Sequence, residues 1–309
     1  MARLRRASAV LGGLLVTFGL YGVVVEPRLL LDDEAFEVEV PGLPTEWDGR
    51  RVVLLADTQT GMWLDNLEMV EEAVDEAIEA RPALALLAGD FVYKADSSVV
   101  RHAVALMRPL AAAGIPTVAV LGNHDYGMNR KDGEPDEALA ASLRRQLEVA
   151  GIRVVENEHV AVPAPGGGPA LHVVGVGSLW AGHSDPAIAL VGLAPDAPRL
   201  ALMHNPQSFQ DFPAGTAPVA LAGHTHGGQV RIPGLPRWSW LDIVREGEVA
   251  VDGWIPAGFG AAGNRLYVNR GIGFSTVPVR VNCRPELTTV TLRRPAGAAV
   301  AGTSRTTDG

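Results

Sequence analysis

The sequence has one cysteine among its 309 residues, and its 26 basic residues are outnumbered by 35 acidic ones. The single cysteine, Cys283, excludes a disulfide within the chain. It is also distant in sequence from the polar clusters described below, so no thiolate is expected at a site that they form. The formal net charge of −9 argues against a surface that follows nucleic-acid phosphates, and we expect no nucleic-acid partner.

Five short apolar runs each end in residues of the types that bind metal ions. The runs are 52–56, 84–88, 117–121, 200–203 and 218–222. Runs of this length that are followed by glycine or polar residues are typical of strands buried on both faces. In open α/β sheets, ligands bind at the carboxyl ends of such strands. We therefore expect the following side chains to meet in space: Asp57, Gln59, Asp90, Asn123, His124, His204, His224 and His226.

The expected cluster offers nitrogen and oxygen ligands, which favour Mn, Zn or Fe over softer metals. It contains more ligands than one tetrahedral ion needs, so it indicates two ions that share a bridging group. Paired ions suit phosphate ester hydrolysis, because they can hold both the attacking and the leaving oxygen.

These residues fall into ordered motifs, namely Asp57-x-Gln59, Gly89-Asp90, Gly122-Asn-His-Asp125, His204 and Gly223-His-x-His226. The order resembles the calcineurin-like metallophosphoesterase superfamily. Further stretches are similar to its bacterial membrane-associated branch of YkuE- and YaeI-like phosphohydrolases. They are Gly223-His-Thr-His-Gly-Gly-Gln229, Val268-Asn-Arg-Gly-Ile-Gly273, Pro278-Val-Arg280 and Cys283-Arg-Pro-Glu286. The resemblance implies an α/β fold, a four-layer αββα sandwich of two mixed β-sheets flanked by helices.

The resemblance also implies a role for each site residue. It assigns the first ion to Asp57, Gln59, Asp90 and His226, and the second to Asp90, Asn123, His204 and His224. Asp90 then bridges two divalent ions, with Mn²⁺ favoured and Zn²⁺ or Fe as alternatives. A metal-activated hydroxide attacks a phosphate ester or pyrophosphate. His124 is not a ligand in this scheme; it protonates the leaving oxygen, and Asp125 orients it.

Gln59 departs from the family pattern, which most often has histidine at this position. The neutral amide oxygen binds late transition metals less strongly than imidazole does. We therefore expect a weaker first site that prefers Mn²⁺. Because of this residue, the alternative to an enzyme is a catalytically degenerate metal-binding protein that acts as an envelope scaffold.

The N-terminus is typical of a segment directed to a membrane. Arg3, Arg5 and Arg6 lie in a basic flank, 1–6, and the run 7–25 has no charged residue. As a helix with about 1.5 Å of rise per residue, that run nearly spans a hydrocarbon core of about 30 Å. We expect an uncleaved anchor with the catalytic domain on the extracytoplasmic face. Export with a cleaved signal peptide is the alternative.

The predicted anchor favours a membrane-borne substrate, phosphorylated and lipid-linked, over a small soluble one. Resemblance to the branch implies nucleotide-sugar-lipid substrates of the UDP-2,3-diacylglucosamine type. The segment 234–263 holds several aromatic residues, which either form an apolar rim for such a substrate or pack as a small core cluster.

The rest of the chain is predicted to form one α/β domain. Residues 26–50 are expected to be a linker with a first strand, 51–294 the metallophosphoesterase domain, and 295–309 a disordered tail. Apolar residues at helical spacing predict three helices: one that carries Leu64, Leu67, Val70, Val74 and Ile78, one that opens at Ser97, and one that carries Leu139, Leu143 and Leu147. Asp65 with Glu68 resembles a capping pair for the first of them. Strands are predicted over 153–162 and 171–176.

Overall fold

The computed structural model of the protein describes residues 17–94, 96–232, 235–239 and 251–296. The strands are β1 (Asp32–Glu39), β2 (Arg51–Leu55), β3 (Leu84–Leu87), β4 (Thr117–Ala119), β5 (Arg153–Val154), β6 (Glu158–Val162), β7 (Leu171–Gly175), β8 (Arg199–Leu202), β9 (Ala220–Ala222), β10 (Arg231–Ile232), β11 (Leu235–Ser239), β12 (Gly253–Trp254), β13 (Leu266–Val268) and β14 (Glu286–Arg293). The α-helices are α1 (Glu26–Leu29), α2 (Leu67–Glu79), α3 (Ser97–Ala112), α4 (Glu137–Val149) and α5 (Pro186–Ala189).

The first sheet has the strand order β1-β14-β2-β3-β4-β5. Strands β2 to β5 are parallel to one another, whereas β14 is antiparallel to β2. Val52 of β2 pairs with Leu84 of β3, and Ala85 of β3 pairs with Thr117 of β4. The carboxyl ends of β2, β3 and β4 therefore lie side by side.

The second sheet has the order β12-β13-β9-β8-β7-β6. Its four central strands are parallel, and the edge strands β12 and β6 are antiparallel to their neighbours. Leu202 of β8 pairs with Leu221 of β9, so the ends of these two strands are adjacent as well. A separate antiparallel pair is formed by β10 and β11.

Alternation along the strands builds a layered core, because successive side chains point to opposite faces of a sheet. In β2, Val53 and Leu55 pack in one cluster with the helices α2, α3 and α4. Val52 and Leu54 pack in a second cluster between the two sheets. A third cluster lies on the other face of the second sheet and includes Phe209. The expected arrangement of two mixed sheets flanked by helices is confirmed.

The three predicted helices form, but α2 begins at Leu67 and leaves out Leu64, and its cap also differs from the prediction. Its N-cap residue is Asn66, not Asp65, and the cap makes no side-chain hydrogen bond to the helix. The Asn66 amide donates instead to the carbonyl oxygens of Pro27 (2.7 Å) and Ile272 (3.1 Å). The side chain therefore joins distant segments, which a local capping pattern cannot reveal.

The single strand predicted over 153–162 is also wrong in detail. It is two strands, because β5 belongs to the first sheet and β6 to the second. Between them, Asn157 adopts a positive φ of 52° and donates to the carbonyl oxygen of His183 at 2.6 Å. The chain crosses from one sheet to the other at this turn.

The predicted anchor is only partly covered, since residues 7–16 lie outside the described residues, as do residues 297–309 of the predicted tail. Residues 17–29 are helical, with a π-helix at Tyr21–Val25 followed by α1. Within the described part of the chain, no helix is long and apolar enough to cross a membrane.

Candidate metal centre

Polar side chains meet where the ends of the two sheets face each other. Asp57 and Gln59 follow β2, Asp90 follows β3, and Asn123 follows β4. The second sheet contributes three histidines, which follow β8 and β9: His204, His224 and His226. All seven side chains are buried. The predicted convergence of these residues is therefore what the fold produces.

Asp90 lies at the centre of the cluster. Its Oδ2 accepts a hydrogen bond from Gln59 Nε2 at 2.8 Å and lies 3.3 Å from His204 Nε2. Its Oδ1 accepts the backbone N–H of His124 at 2.8 Å. One carboxylate thus contacts residues from both sheets, as a bridging ligand must.

Two groups of side chains with the geometry of metal ligands share Asp90. One contains Asp57, Asp90 and His226, and the other contains Asp90, His204 and His224. Within each group, one ligand atom per residue lies within 4.8 Å of the others. Asn123 Oδ1 is 3.2 Å from His204 Nε2, and Gln59 Nε2 is 3.4 Å from His226 Nε2. The structure brings together every residue predicted to hold an ion, and their roles as ligands stay predictions.

The donor set fits divalent cations. Gln59 Oε1 is buried and has no hydrogen-bond partner among the described residues, so a carbonyl oxygen is available. Burial and the charge of Arg280 lower the pKa of His226 well below its usual value. The imidazole is therefore neutral, which is the form that coordinates a metal.

Without cations, the cluster holds protons. Burial raises the pKa of Asp57 to about 7, with the charge of Asp90 adding to the effect and His204 opposing it. Burial opposes a charged His204, yet the nearby charge of Asp90 raises the pKa of His204 to about 9. For Asp90, burial is outweighed by His204 and His124, which hold its pKa well below its usual range. Buried carboxylates thus attract positive charge, which either protons or metal ions can supply.

The backbone of the site is held in a sparsely populated conformation. Positive φ angles occur at Asp57 (54°), Gln59 (51°), Asp90 (57°), His224 (77°) and His226 (49°). Each such residue costs of order 1–3 kcal/mol, so the surrounding structure must fix it. Two glycines allow the close packing that does so: a Cβ at Gly122 would overlap the Asp90 carboxylate, and one at Gly271 would lie 2.6 Å from Asp57 Cβ.

Asp125, which is predicted to orient His124, makes its hydrogen bonds with backbone N–H groups. Its two carboxylate oxygens accept from the backbone N–H groups of Asp90, Phe91, Val92 and Gly122, at 2.8–3.1 Å. Asp125 therefore fixes the loops that follow β3 and β4 relative to each other. His124 lies on the second of these loops, and its ring stacks on Tyr93 with centroids 4.8 Å apart.

Comparison with known proteins decides the family. The family model of the calcineurin-like phosphoesterases matches residues 50–228, which is more than half of the chain. The chain belongs to the calcineurin-like phosphoesterase family. The family predicted from the motifs is confirmed, and the protein is a hydrolase that acts on phosphoester bonds.

Three relatives of this phosphoesterase are informative. Phosphodiesterase YaeI of Escherichia coli is 35% identical over 245 residues, which cover 78% of this chain and 82% of that protein. The uncharacterized metallophosphoesterase YkuE of Bacillus subtilis is 25% identical over 291 residues, covering 93% and 94%. The UDP-2,3-diacylglucosamine pyrophosphatase LpxG of Chlamydia muridarum is 26% identical over 235 residues, covering 62% and 68%.

The polar cluster of the phosphoesterase opens into a cleft. Besides five of the polar residues named above, it is lined by Asn129, Trp180 and Ser275. The Trp180 ring packs edge-on against His224, with centroids 4.9 Å apart. These three residues lie in loops, where no periodic pattern marks them, so they are not among the predicted site residues.

The aromatic segment 234–263 is only partly described. Within it, Trp254 packs against Phe36 and Tyr267, and Phe259 stacks on Phe209. Trp254 and Phe259 therefore pack against other aromatic rings, as expected for a small core cluster and not for an apolar rim. Trp240 and the side chain of Trp238 lie outside the described residues.

Proposed function

We propose that this phosphoesterase binds two divalent cations and uses them to hydrolyse a phosphate ester or pyrophosphate. The first ion is held by Asp57, Gln59, Asp90 and His226, and the second by Asp90, Asn123, His204 and His224. The observation that carries the proposal is that two groups with ligand geometry share the Asp90 carboxylate.

When bound, the paired cations neutralise phosphoryl oxygens and activate water as the nucleophile. The chain supplies the remaining chemistry. His124 lines the cleft, and its backbone N–H donates to Asp90, so its position is fixed relative to the cluster. We assign to its imidazole the proton transfer to the leaving oxygen, which is worth about 10²–10⁴-fold in rate. Asp125 holds the loop that places it.

Mn²⁺ is the proposed native ion, with Zn²⁺ or Fe as alternatives. Two carboxylates and two amide oxygens give the cluster a larger share of hard ligands than an all-histidine site has. The neutral Gln59 weakens the first site for late transition metals in particular.

The proposed substrate is lipid-linked, and the catalytic domain is held on the extracytoplasmic face by an anchor at 7–25. Two independent features support this. The run 7–25 is uncharged and follows a basic flank. A relative covering 62% of the chain is named a UDP-2,3-diacylglucosamine pyrophosphatase, so a nucleotide-sugar-lipid of that type is the first candidate.

The test is turnover of bis(p-nitrophenyl) phosphate by the purified full chain with Mn²⁺, with bound metal measured in parallel. We expect about two ions per chain and activity that is lost in His124→Ala without loss of metal. Metal binding without any turnover in the wild type would contradict catalysis and support the alternative, a degenerate envelope scaffold.

A second assay addresses the substrate. We expect the full chain to cleave UDP-2,3-diacylglucosamine in vesicles with a higher kcat/KM than bis(p-nitrophenyl) phosphate. A preference for soluble esters over every lipid-linked substrate would contradict the proposed class while leaving the proposed reaction intact.

A further inference from the structure

Exposed apolar side chains are concentrated in one part of this protein. Among the described residues, nine of the thirteen large hydrophobic side chains that are exposed belong to three segments. We call them the apolar face, and they are Phe18, Leu20, Tyr21, Val24, Val25, Leu29, Trp63, Leu64 and Val277. Single exposed apolar residues are ordinary on a protein surface, whereas a contiguous group of them marks a binding surface.

The three segments are joined by Arg28. Its guanidinium donates to the carbonyl oxygens of Leu64 at 2.8 Å and Asp65 at 2.6 Å. The same group lies over the Phe274 ring, 5.5 Å from its centroid. Arg28 therefore connects the N-terminal segment to the loop that carries Trp63 and to the loop that carries Val277.

A second set of contacts fixes the N-terminal segment on the domain. Glu26 is fully buried, and its carboxylate accepts the backbone N–H groups of Asn282 (2.8 Å) and Cys283. The backbone N–H of Arg280 donates to the carbonyl oxygen of Gly22 at 2.9 Å. Burying a carboxylate is costly unless it is paired in this way. The end of the predicted anchor is thus an integral part of the fold.

Part of the apolar face lies on two loops that also carry residues of the cluster or of the cleft. Trp63 and Leu64 lie shortly after Gln59 on the same loop, and the backbone N–H of Met62 donates to the carbonyl oxygen of Gln59 at 3.3 Å. On the other loop, Ser275 lines the cleft, and its backbone N–H donates to the Gln229 side chain.

We propose that the apolar face docks on the surface of a lipid bilayer into which the N-terminal part of segment 7–25 inserts, so that the cleft opens towards the lipid headgroups. A bilayer is the proposed partner because the apolar face includes the end of the uncharged run 7–25. The described helical segment at 17–29 overlaps that run. The residue types fit as well, since Trp and Tyr prefer the membrane interface. Exposed Arg284, close to Tyr21, suits anionic headgroups. The proposal rests on the anchor in the proposed function and not on catalysis.

The direct test is a depth measurement on the full chain in phosphatidylcholine–phosphatidylglycerol vesicles. Leu64→Cys carries an environment-sensitive fluorophore, and Val149→Cys, 90% exposed at the end of α4, is the matched control. Wild type serves as the labelling blank, since its only cysteine is buried. We expect lipids with brominated chains to quench the label at position 64 and to leave that at 149 unchanged. Equal quenching at both positions, or none at 64, overturns the proposal. So does a signal at 64 that depends on the protein-to-lipid ratio, which assigns the face to a second copy of the chain.

A functional test uses Leu64→Glu, with Val149→Glu as its control. We expect Leu64→Glu to lower kcat/KM for vesicle-borne UDP-2,3-diacylglucosamine about tenfold, because a charge replaces an apolar contact with lipid. Turnover of soluble bis(p-nitrophenyl) phosphate is expected to stay unchanged. Equal loss on both substrates would show a distorted site and overturn the docking role. If the wild type cleaves neither substrate, the proposed function fails, and the fluorescence measurement still decides the docking.

Discussion

The two sheets contribute different chemistry to one cleft. The first sheet supplies oxygen donors, from Asp57, Gln59, Asp90 and Asn123, whereas the second supplies the imidazoles of His204, His224 and His226. In the proposed metal centre, each ion takes donors from both sheets. The carboxylate of Asp90 is the point of contact, since it meets Gln59 from its own sheet and His204 from the other. The site therefore exists only when the two sheets pack correctly.

The loops on the two sides are also organised by buried side chains of opposite hydrogen-bonding character. After β3 and β4 of the first sheet, the Asp125 carboxyl group accepts four backbone N–H groups. After β13 of the second sheet, the buried Arg280 cation donates to the carbonyl oxygens of Arg270, Gly271, Gly273 and Cys283. Gly271 in turn packs against Asp57. Each side chain takes the place of a regular hydrogen-bond ladder where the backbone is irregular.

Asp90→Asn should have the largest effect, because it alters the residue that both ligand groups share. We expect bound metal to fall from two ions to fewer than one per chain, and kcat/KM for bis(p-nitrophenyl) phosphate to fall about 10³-fold, as loss of several kcal/mol of electrostatic stabilisation requires. The measurement is elemental analysis together with the assay. Asp132→Asn, at an exposed aspartate, is the control. Two ions retained in Asp90→Asn would contradict a bridging role.

The next largest expected effect is on stability, and it differs between the two side chains that fix the loops, Asp125 and Arg280. Asp125→Asn replaces one acceptor oxygen with an NH₂ group that faces N–H donors, so we expect a loss of about 3 kcal/mol in the free energy of unfolding. Arg280→Met keeps the volume and leaves carbonyl oxygens, which are tolerated better when unpaired, so about 1–2 kcal/mol is expected. Urea denaturation of metal-free protein measures both.

The controls for this pair are Asp132→Asn and Arg130→Met, which break an exposed ion pair worth about 0–1 kcal/mol. If Arg280→Met proves more destabilising than Asp125→Asn, Arg280 contributes more to stability than Asp125 does. The expected difference between the loops that these two side chains fix is then wrong.

The sequence predicts which polar side chains meet in the cleft, because apolar runs and the polar residues that end them are local signals. Asp57, Asp90 and His224 could be placed at sheet ends from such runs alone. The positive φ angles at these positions could not be predicted from the sequence, because they depend on Gly122, Gly271 and other contacts that are distant along the chain. The split strand at Asn157 was missed for the same reason, since its two halves differ only in the sheet that they join. Glu26 and Arg28 carry no pattern that indicates the loops they contact.

Metal affinity should depend on pH through the protons that the cations replace. The pKa of Asp57, raised to about 7 by burial, and that of His204, raised to about 9 chiefly by Asp90, both exceed their ordinary values. Protonated forms therefore persist to higher pH, and affinity should fall about tenfold per unit for each bound proton as pH decreases through these values. Calorimetric titration with Mn²⁺ at pH 6.5 and 8.5 measures this. Affinity that is independent of pH, with no proton release in buffers of different ionisation enthalpy, would contradict it.

The smallest expected effect comes from replacing Gln59, an oxygen donor from the first sheet, with histidine, the residue type that the second sheet contributes. Gln59→His introduces a fourth imidazole in place of the amide that donates to Asp90 at 2.8 Å. Imidazole is the stronger ligand for late transition metals, so we expect tighter binding of one ion, by about tenfold, with a larger gain for Zn²⁺ than for Mn²⁺. Calorimetric titration with each metal measures it, and Gln59→Ala, which removes the amide, is the matched control and should bind more weakly than wild type. Equal or weaker binding in Gln59→His would show that the amide is selected for its hydrogen bond to Asp90, and that the division between oxygen and imidazole sides is a requirement of the cleft.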